Sequence, residues 1–275
     1  MRRRASLGTV FPYIALVVIT LPLLIMYGWL FLSSFATRME GMKPLGFTLR
    51  NWRFLTETLP HRPTVWAMVR NTFVFALSVA LVELAIASSA GYVLSRMRFP
   101  GRRLFLSLTI ILHAFPSVTL LIAIFFVLRT LGLYDRLLGV ILVKVALELP
   151  LGIWLMKGFF DTVSWDVEMA ALVDGCSRFR IWLRIMLPLI KPGIAALAIF
   201  AFISGWNEFL LPYIFLPTST NQTLSVFLQG LSGDIGRVDY GLLTAVGLFY
   251  ALPTLLFFIF TQRYLLRIYS GGVKG

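Results

Sequence analysis

One cysteine, Cys176, two histidines and twelve acidic residues are all that this 275-residue chain contains of those types. A single cysteine excludes an intramolecular disulfide and any multi-cysteine metal site. Charged residues make up 13% of the chain, roughly half the share of about 25% usual in soluble domains. The sequence also lacks a G-x-x-x-x-G-K-[ST] phosphate loop, so it does not bind ATP through that motif. No repeat of fixed period and no low-complexity linker divides it. What fills the chain is apolar: 59% of its residues are hydrophobic. A soluble fold of this length could not hide so much apolar side chain, and disorder is excluded by the same figure. The composition is that of an all-α integral membrane protein with one membrane domain over residues 1–275.

A helix needs about 20 apolar residues to cross the hydrocarbon core. Six stretches qualify: Val10–Phe35, Asn71–Ser95, Leu104–Leu128, Leu137–Phe159, Leu189–Leu216 and Tyr240–Gln262. The first follows Arg2-Arg3-Arg4 like a signal peptide, but its apolar run of roughly 25 residues exceeds a signal core. The net charge of +13 does not point to nucleic acid, because Lys and Arg sit at the ends of the apolar runs. With the N-terminus inside, fifteen of the 25 basic residues fall on the inner side, nine on the outer side, and Lys144 within a span. That bias places both termini in the cytoplasm. It is clearest at Arg96, Arg98, Arg102 and Arg103, in one short turn.

Of the inner loops only Asp161–Leu187 is long enough for helices of its own. Ser164 is a fitting helix start, and Val167, Ala170, Ala171 and Val173 supply a small-residue face. Gly175 breaks the pattern, and Ser177 suits the cap of a second helix. Phe179, Trp182, Leu183 and Met186 follow at helical spacing opposite Arg178 and Arg184, and Pro188 opens the next span. Such a helix–Gly–helix either docks in the groove of a soluble partner or rests among lipid headgroups.

Met169-Ala170-Ala171, Gly175 and Ile185-Met186-Leu187-Pro188 resemble the E-A-A-x3-G-x9-I-x-L-P signature of permease subunits of binding-protein-dependent ABC importers. Both spacings are met, and Asp174 precedes the glycine. Trp206-Asn207-Glu208-Phe209, Gln262-Arg263-Tyr264 and the C-terminal Gly271-Gly272-Val273-Lys274-Gly275 look like the maltose-type carbohydrate branch. The resemblance implies a six-span type I importer permease fold in which residues 161–187 form a coupling loop on an ATPase. It also implies a prokaryotic inner-membrane complex of this chain, a second homologous permease, two ATPase subunits that hold ATP and Mg, and an extracytoplasmic binding protein. Cofactors are expected in the ATPase and none in this chain, which is not itself an enzyme. One departure stands out: Met169 occupies the position of the signature glutamate, and Glu168 lies one residue earlier, about 100° around a helix. Glu168 either takes over that role or packing through Ala170 and Ala171 suffices. Packing is the favoured term, because an exposed ion pair contributes only about 0–1 kcal/mol.

Glu83, His113, Lys144, Glu148, Asn207 and Glu208 fall within or near spans, where polar groups face protein or a water-filled cavity. Lys144 and Glu148 are four residues apart and able to pair. His113 reads as a hydrogen-bonded bundle residue, since no partners stand at metal-ligand spacing. Trp206, Asn207, Glu208 and Phe209 combine aromatic, amide and carboxylate groups suited to a sugar, and either line the pathway or pack between subunits. Ser204 and Gly205 before them, like Ala87 to Gly91, allow close helix approach. Asn221, Gln222, Gln229 and Asp234 in the outer loop are candidate contacts of the binding protein, and Gly271 to Gly275 candidate contacts of the ATPase. The expected function is the permease subunit of an ATP-driven importer for a sugar or polyol. A secondary transporter coupled through Glu83 or the Lys144–Glu148 pair is the alternative, and it leaves the cytoplasmic loop unexplained. A membrane-embedded enzyme would need a convergent polar cluster at one surface, where only Asp161, Asp166, Glu168 and Asp174 gather.

Overall fold

The computed structural model of the chain describes residues 7–58, 63–233 and 238–271, mostly as helix. They form two compact units, one drawn from Met1–Pro60 and Leu228–Pro253, the other from His61–Phe227 and Thr254–Gly275. The first unit opens with α1 (Leu7–Ser34), whose large apolar side chains from Tyr13 to Leu32 are mostly exposed, as a lipid-facing helix requires. A short antiparallel hairpin, β1 (Arg38–Glu40) and β2 (Lys43–Leu45), follows with Met39 opposite Pro44. Asn51 closes this region by donating from Nδ2 to the carbonyls of Ser34 and Ala36, at 3.1 and 2.9 Å. Gly241 makes room for that amide: a Cβ there would stand 2.5 Å from Asn51 Nδ2.

The second unit is organised on α2 (Val65–Arg96), capped by Thr64, whose hydroxyl accepts the Ala67 N–H. The helices that follow are α3 (Arg102–Ala114), α4 (Leu121–Thr130) and α5 (Leu137–Asp161). Next come α6 (Trp165–Val173), α7 (Arg178–Ile181), a π-helical turn at Trp182–Met186, and α8 (Leu187–Leu189). The series ends with α9 (Lys191–Trp206), α10 (Leu210–Phe215), α11 (Leu224–Ser232) and α12 (Tyr240–Gly271). Helix α2 packs mainly on α5 and α9, and small residues set both crossings. A Cβ on Gly91 would lie 2.9 Å from the Lys157 backbone N, and one on Gly205 would lie 2.8 Å from Ala76 Cα. Backbones approach this closely only where the side chain is a hydrogen.

Helices α1, α2 and α5 are each long and apolar enough to cross a membrane. The expected span Leu104–Leu128 is instead two helices, bent by 92° between Ala114 and Ser117. Pro116 explains the break: it forces Phe115 into extended backbone, at φ −75° and ψ 129°. The expected span Leu189–Leu216 starts at Lys191 rather than Leu189, after a bend of 83°, and is interrupted again at Asn207–Phe209. There Pro212 has no N–H to give to the Glu208 carbonyl, so the α-helical ladder cannot pass. The Ser225 hydroxyl donates to that carbonyl instead, at 2.7 Å.

Candidate functional site

The loop over residues 161–187 is built from the local signals its sequence carries. Ser164 Oγ accepts the Asp166 N–H and opens α6. Gly175 ends it at φ +79°, a left-handed conformation that glycine adopts without a Cβ clash. Ser177 Oγ then accepts the Arg180 N–H to open α7. The α7–α8 segment turns 83° into α9, so this end of the bundle carries a transverse helix. Ile181 and Met186 anchor it in a core with Tyr92, Met156 and Phe160, while Ile185 and Leu187 are half-buried and Pro188 is exposed.

Glu168 does not face outward. It is fully buried, accepts a hydrogen bond from the Tyr92 hydroxyl at 2.9 Å, and forms ion pairs with Arg96 at 3.5 Å and Arg178 at 3.2 Å. Arg96 also donates to the carbonyls of Phe160 and Val163, both at 2.6 Å, and lies over the Trp165 ring. The carboxylate therefore ties α6 to the end of α2. Of the expected small-residue face only Ala171 points inward. Met169, Ala170 and Asp174 are exposed, with Val173 87% and Phe179 68% accessible. These apolar side chains are left exposed on the α6–α7 surface.

A second polar assembly lies within the membrane-spanning part. Lys144 pairs with Glu148 at 2.9 Å, the expected i,i+4 contact, and also with Glu208 at 2.6 Å. Ser204 donates to Glu148, and Glu208 Oε1 accepts the Leu211 N–H at 3.1 Å at the foot of α10. Glu83 lies buried beside Glu148, in space that a Cβ on Gly152 would fill. Trp206 is 2% exposed and stacks on Phe202, so it packs. Asn207 is exposed, and Phe209 stacks on Tyr213 at 5.1 Å. The hydrogen bond expected of His113 is not made among the described residues; His113 is exposed beside the break at Phe115-Pro116.

In the outer loop Asn221 spends its amide inward, donating to the Asp135 carbonyl at 2.9 Å. Thr218 donates to the Asp135 carboxylate as well. Slight burial pushes that carboxyl up, but the bonds from Thr218 and Asn221 outweigh it and hold it below its ordinary value. The Gln222 backbone carbonyl accepts from Asn71 at 3.1 Å; Gln222 is half-buried and Gln229 is exposed. Asp234 and Gly272, Val273, Lys274 and Gly275 lie outside the described residues, and α12 reaches Gly271. Sequence reasoning missed Glu208 as the partner of Lys144 and Arg96 as the partner of Glu168. The one signal for Arg96 was its place in the basic turn.

Residues 84–268 match the family model described as binding-protein-dependent transport system inner membrane component. The chain is 34% identical over 206 residues to the maltodextrin transport system permease protein MdxG of Bacillus subtilis, covering 74% of each chain. It is 31% identical over 278 residues to the diacetylchitobiose uptake system permease protein NgcG of Streptomyces coelicolor, covering 98% of this chain and 89% of that one. Its fold matches a chain of a bacterial ABC transporter involved in import of the acidic polysaccharide alginate, with TM-score 0.79, 21% identity and coverage of 96% and 98%. A transverse loop anchored from within, on a bundle of this fold and with this sequence kinship, leaves one conclusion: the chain belongs to the family of inner membrane components of binding-protein-dependent transport systems.

Proposed function

We propose that this chain is one of two homologous permease subunits of an ATP-driven importer for a sugar or polyol, and that it forms half of the pathway. Residues 161–187 couple it to the ATPase. The observation that carries this reading is the α6–α7 surface, where Glu168 is locked inside while Met169, Ala170, Val173 and Phe179 present an outward apolar face. Two ATPase subunits holding ATP and Mg would dock there, with packing as the main term and no exposed carboxylate required. Both termini lie in the cytoplasm, and residues 271–275 are candidate contacts of the ATPases. Gln229 and the rest of the outer loop meet the binding protein, which does most of the selecting among sugars. Asn207 and Glu208 line the pathway. The maltodextrin and diacetylchitobiose permeases among the relatives support the carbohydrate class.

The test is mild-detergent co-purification of a tagged copy from its native membrane, with mass spectrometry of what accompanies it. A second permease and an ATPase are expected. Recovery of the chain alone would overturn the reading and return Glu83, Lys144 and Glu148 to ion coupling.

A further inference from the structure

Two interruptions of helical backbone converge on one polar cluster. The break at Ala114–Pro116 and the break at Asn207–Phe209 both border a cavity of about 330 Å³ lined by His113, Phe115, Lys144, Glu148 and Glu208. A second cavity of about 500 Å³ shares His113 and Glu148 with it and adds Glu83, Ser204 and Asn207. Non-helical backbone at membrane depth is tolerated where it is buried in protein or lines a water-filled cavity. In secondary transporters such breaks mark solute sites.

The hydrogen bonds of the cluster do not balance. Lys144 donates to Glu208 and pairs with Glu148, Ser204 donates to Glu148, and the Leu211 N–H to Glu208. The carboxyls of Glu83 and Glu148 face each other, and Glu83 Oε2 and Glu148 Oε2, both buried, receive no hydrogen bond from any other donor among the described residues. Glu83 is only 3% exposed and still lines the larger cavity. Buried acceptors without donors are costly, and a cavity beside them is where donors can arrive. The other walls are apolar: Leu151, Leu155, Phe200 and Ile203. Surplus acceptors on one side and hydrocarbon on the other suit a ring that offers O–H groups at its rim and C–H groups on its face. Lys144 already supplies the cluster with a cation, and no group of three His, Cys, Asp or Glu that could hold a metal ion occurs among the described residues. Lys144 is taken up by Glu148 and Glu208, so a donor for Glu83 has to come from the cavity, and a solute hydroxyl can supply it.

We infer that the cavity bounded by Glu83, His113, Glu148, Ser204 and Asn207 is a site at which this subunit holds a polyhydroxylated solute in transit, with Glu83 and Glu148 accepting its hydroxyls. The inference rests on the import reading above and adds residues that reading does not assign. Gly152 leaves room for the Glu83 carboxyl, whose Oε1 would stand 2.5 Å from a Cβ there.

The test uses the whole importer with its binding protein in lipid nanodiscs and proteoliposomes, with maltose, trehalose, diacetylchitobiose and sorbitol as probes. Ser204→Cys is made in a Cys176→Ser background, which leaves this chain one reactive thiol. That thiol should react with a water-soluble methanethiosulfonate, and a probe that the complex transports should slow the reaction at least about threefold. Glu83→Gln should slow uptake about tenfold, the order set by one hydrogen bond to a charged group. The KM for the probe should rise while the variant complex still assembles with its binding protein in size-exclusion chromatography, whereas a merely structural defect would lower assembly as well. An unprotected thiol in a complex that transports the probe, with Glu83→Gln uptake unchanged, would overturn the site and leave the import reading standing. Uptake of none of the four probes by a complex whose ATPase responds to its binding protein would overturn the carbohydrate reading and the site with it.

Discussion

Removing the Glu168 carboxylate should release α6 from the bundle. Glu168 and Arg96 are both withdrawn from solvent, with side chains 0% and 1% exposed. Deleting one partner of a buried pair leaves the other uncompensated and costs about 3–5 kcal/mol. Arg96 keeps its bonds to the carbonyls of Phe160 and Val163, so the lower end, about 3 kcal/mol, applies to Glu168→Ala. At about 1.4 kcal/mol per tenfold, detached α6 becomes roughly a hundredfold more populated. Hydrogen exchange of the peptide spanning 165–174 in the assembled complex reads that population directly, as exchange accelerated by the same factor. Glu168→Gln keeps an acceptor for Tyr92 and should give a smaller acceleration. Uptake should fall in both variants while basal ATP hydrolysis continues, because the fault lies in the link and not in the ATPase. Exchange of Glu168→Ala within about twofold of wild type would refute the account of Glu168 as an internal anchor.

Met169→Glu restores the signature carboxylate at an exposed position; coupled ATPase activity should change by no more than the factor of about five that an exposed ion pair of 0–1 kcal/mol allows. Gly175→Pro demands φ near −65° where the chain holds +79°, and with Ala170→Glu it should uncouple hydrolysis from uptake; wild-type uptake in either would contradict the coupling role. Gly205→Val places side chain where Ala76 Cα would be 2.8 Å from a Cβ, so thermal denaturation of the purified complex should show a loss of about 1–3 kcal/mol. Thr218→Val removes a donor to Asp135 and should destabilise the outer loop by about 1 kcal/mol at neutral pH. Because the folded Asp135 carboxyl is lowered, that stability is present above its ordinary value of 3.8 and is lost as pH falls through the folded one. Denaturation of wild type and variant should therefore converge in strong acid.

The parts of the chain that were legible in the sequence depend on near neighbours. Ser164, Gly175 and Ser177 act within three residues of themselves, and Lys144 meets Glu148 one turn away, so caps, stop and pair could be read by spacing. Tyr92 stands 76 residues from Glu168 and Glu208 stands 64 from Lys144; nothing local marks either as a partner. Hydropathy averaged over a window hid the breaks at Pro116 and Pro212, since Phe115 and the Leu210-Leu211 pair keep the mean high. The prolines themselves were visible, and the missing N–H was the better guide. Trp206 combined a sugar-binding residue type with a packing environment, and only burial decides between the two.

The crossing of α2 over α9 at Gly205 and Ala76 divides the longest helix of the second unit unequally. From Ala76 to Arg96 is about 30 Å and from Ala76 to Val65 about 17 Å at 1.5 Å per residue. Gly91 clamps α2 to α5 on the longer arm, and Arg96 at its tip grips both α6 and the end of α5. A pull on Arg96 therefore meets α5 at Gly91 before it reaches the α9 crossing, about 22 Å further along the helix.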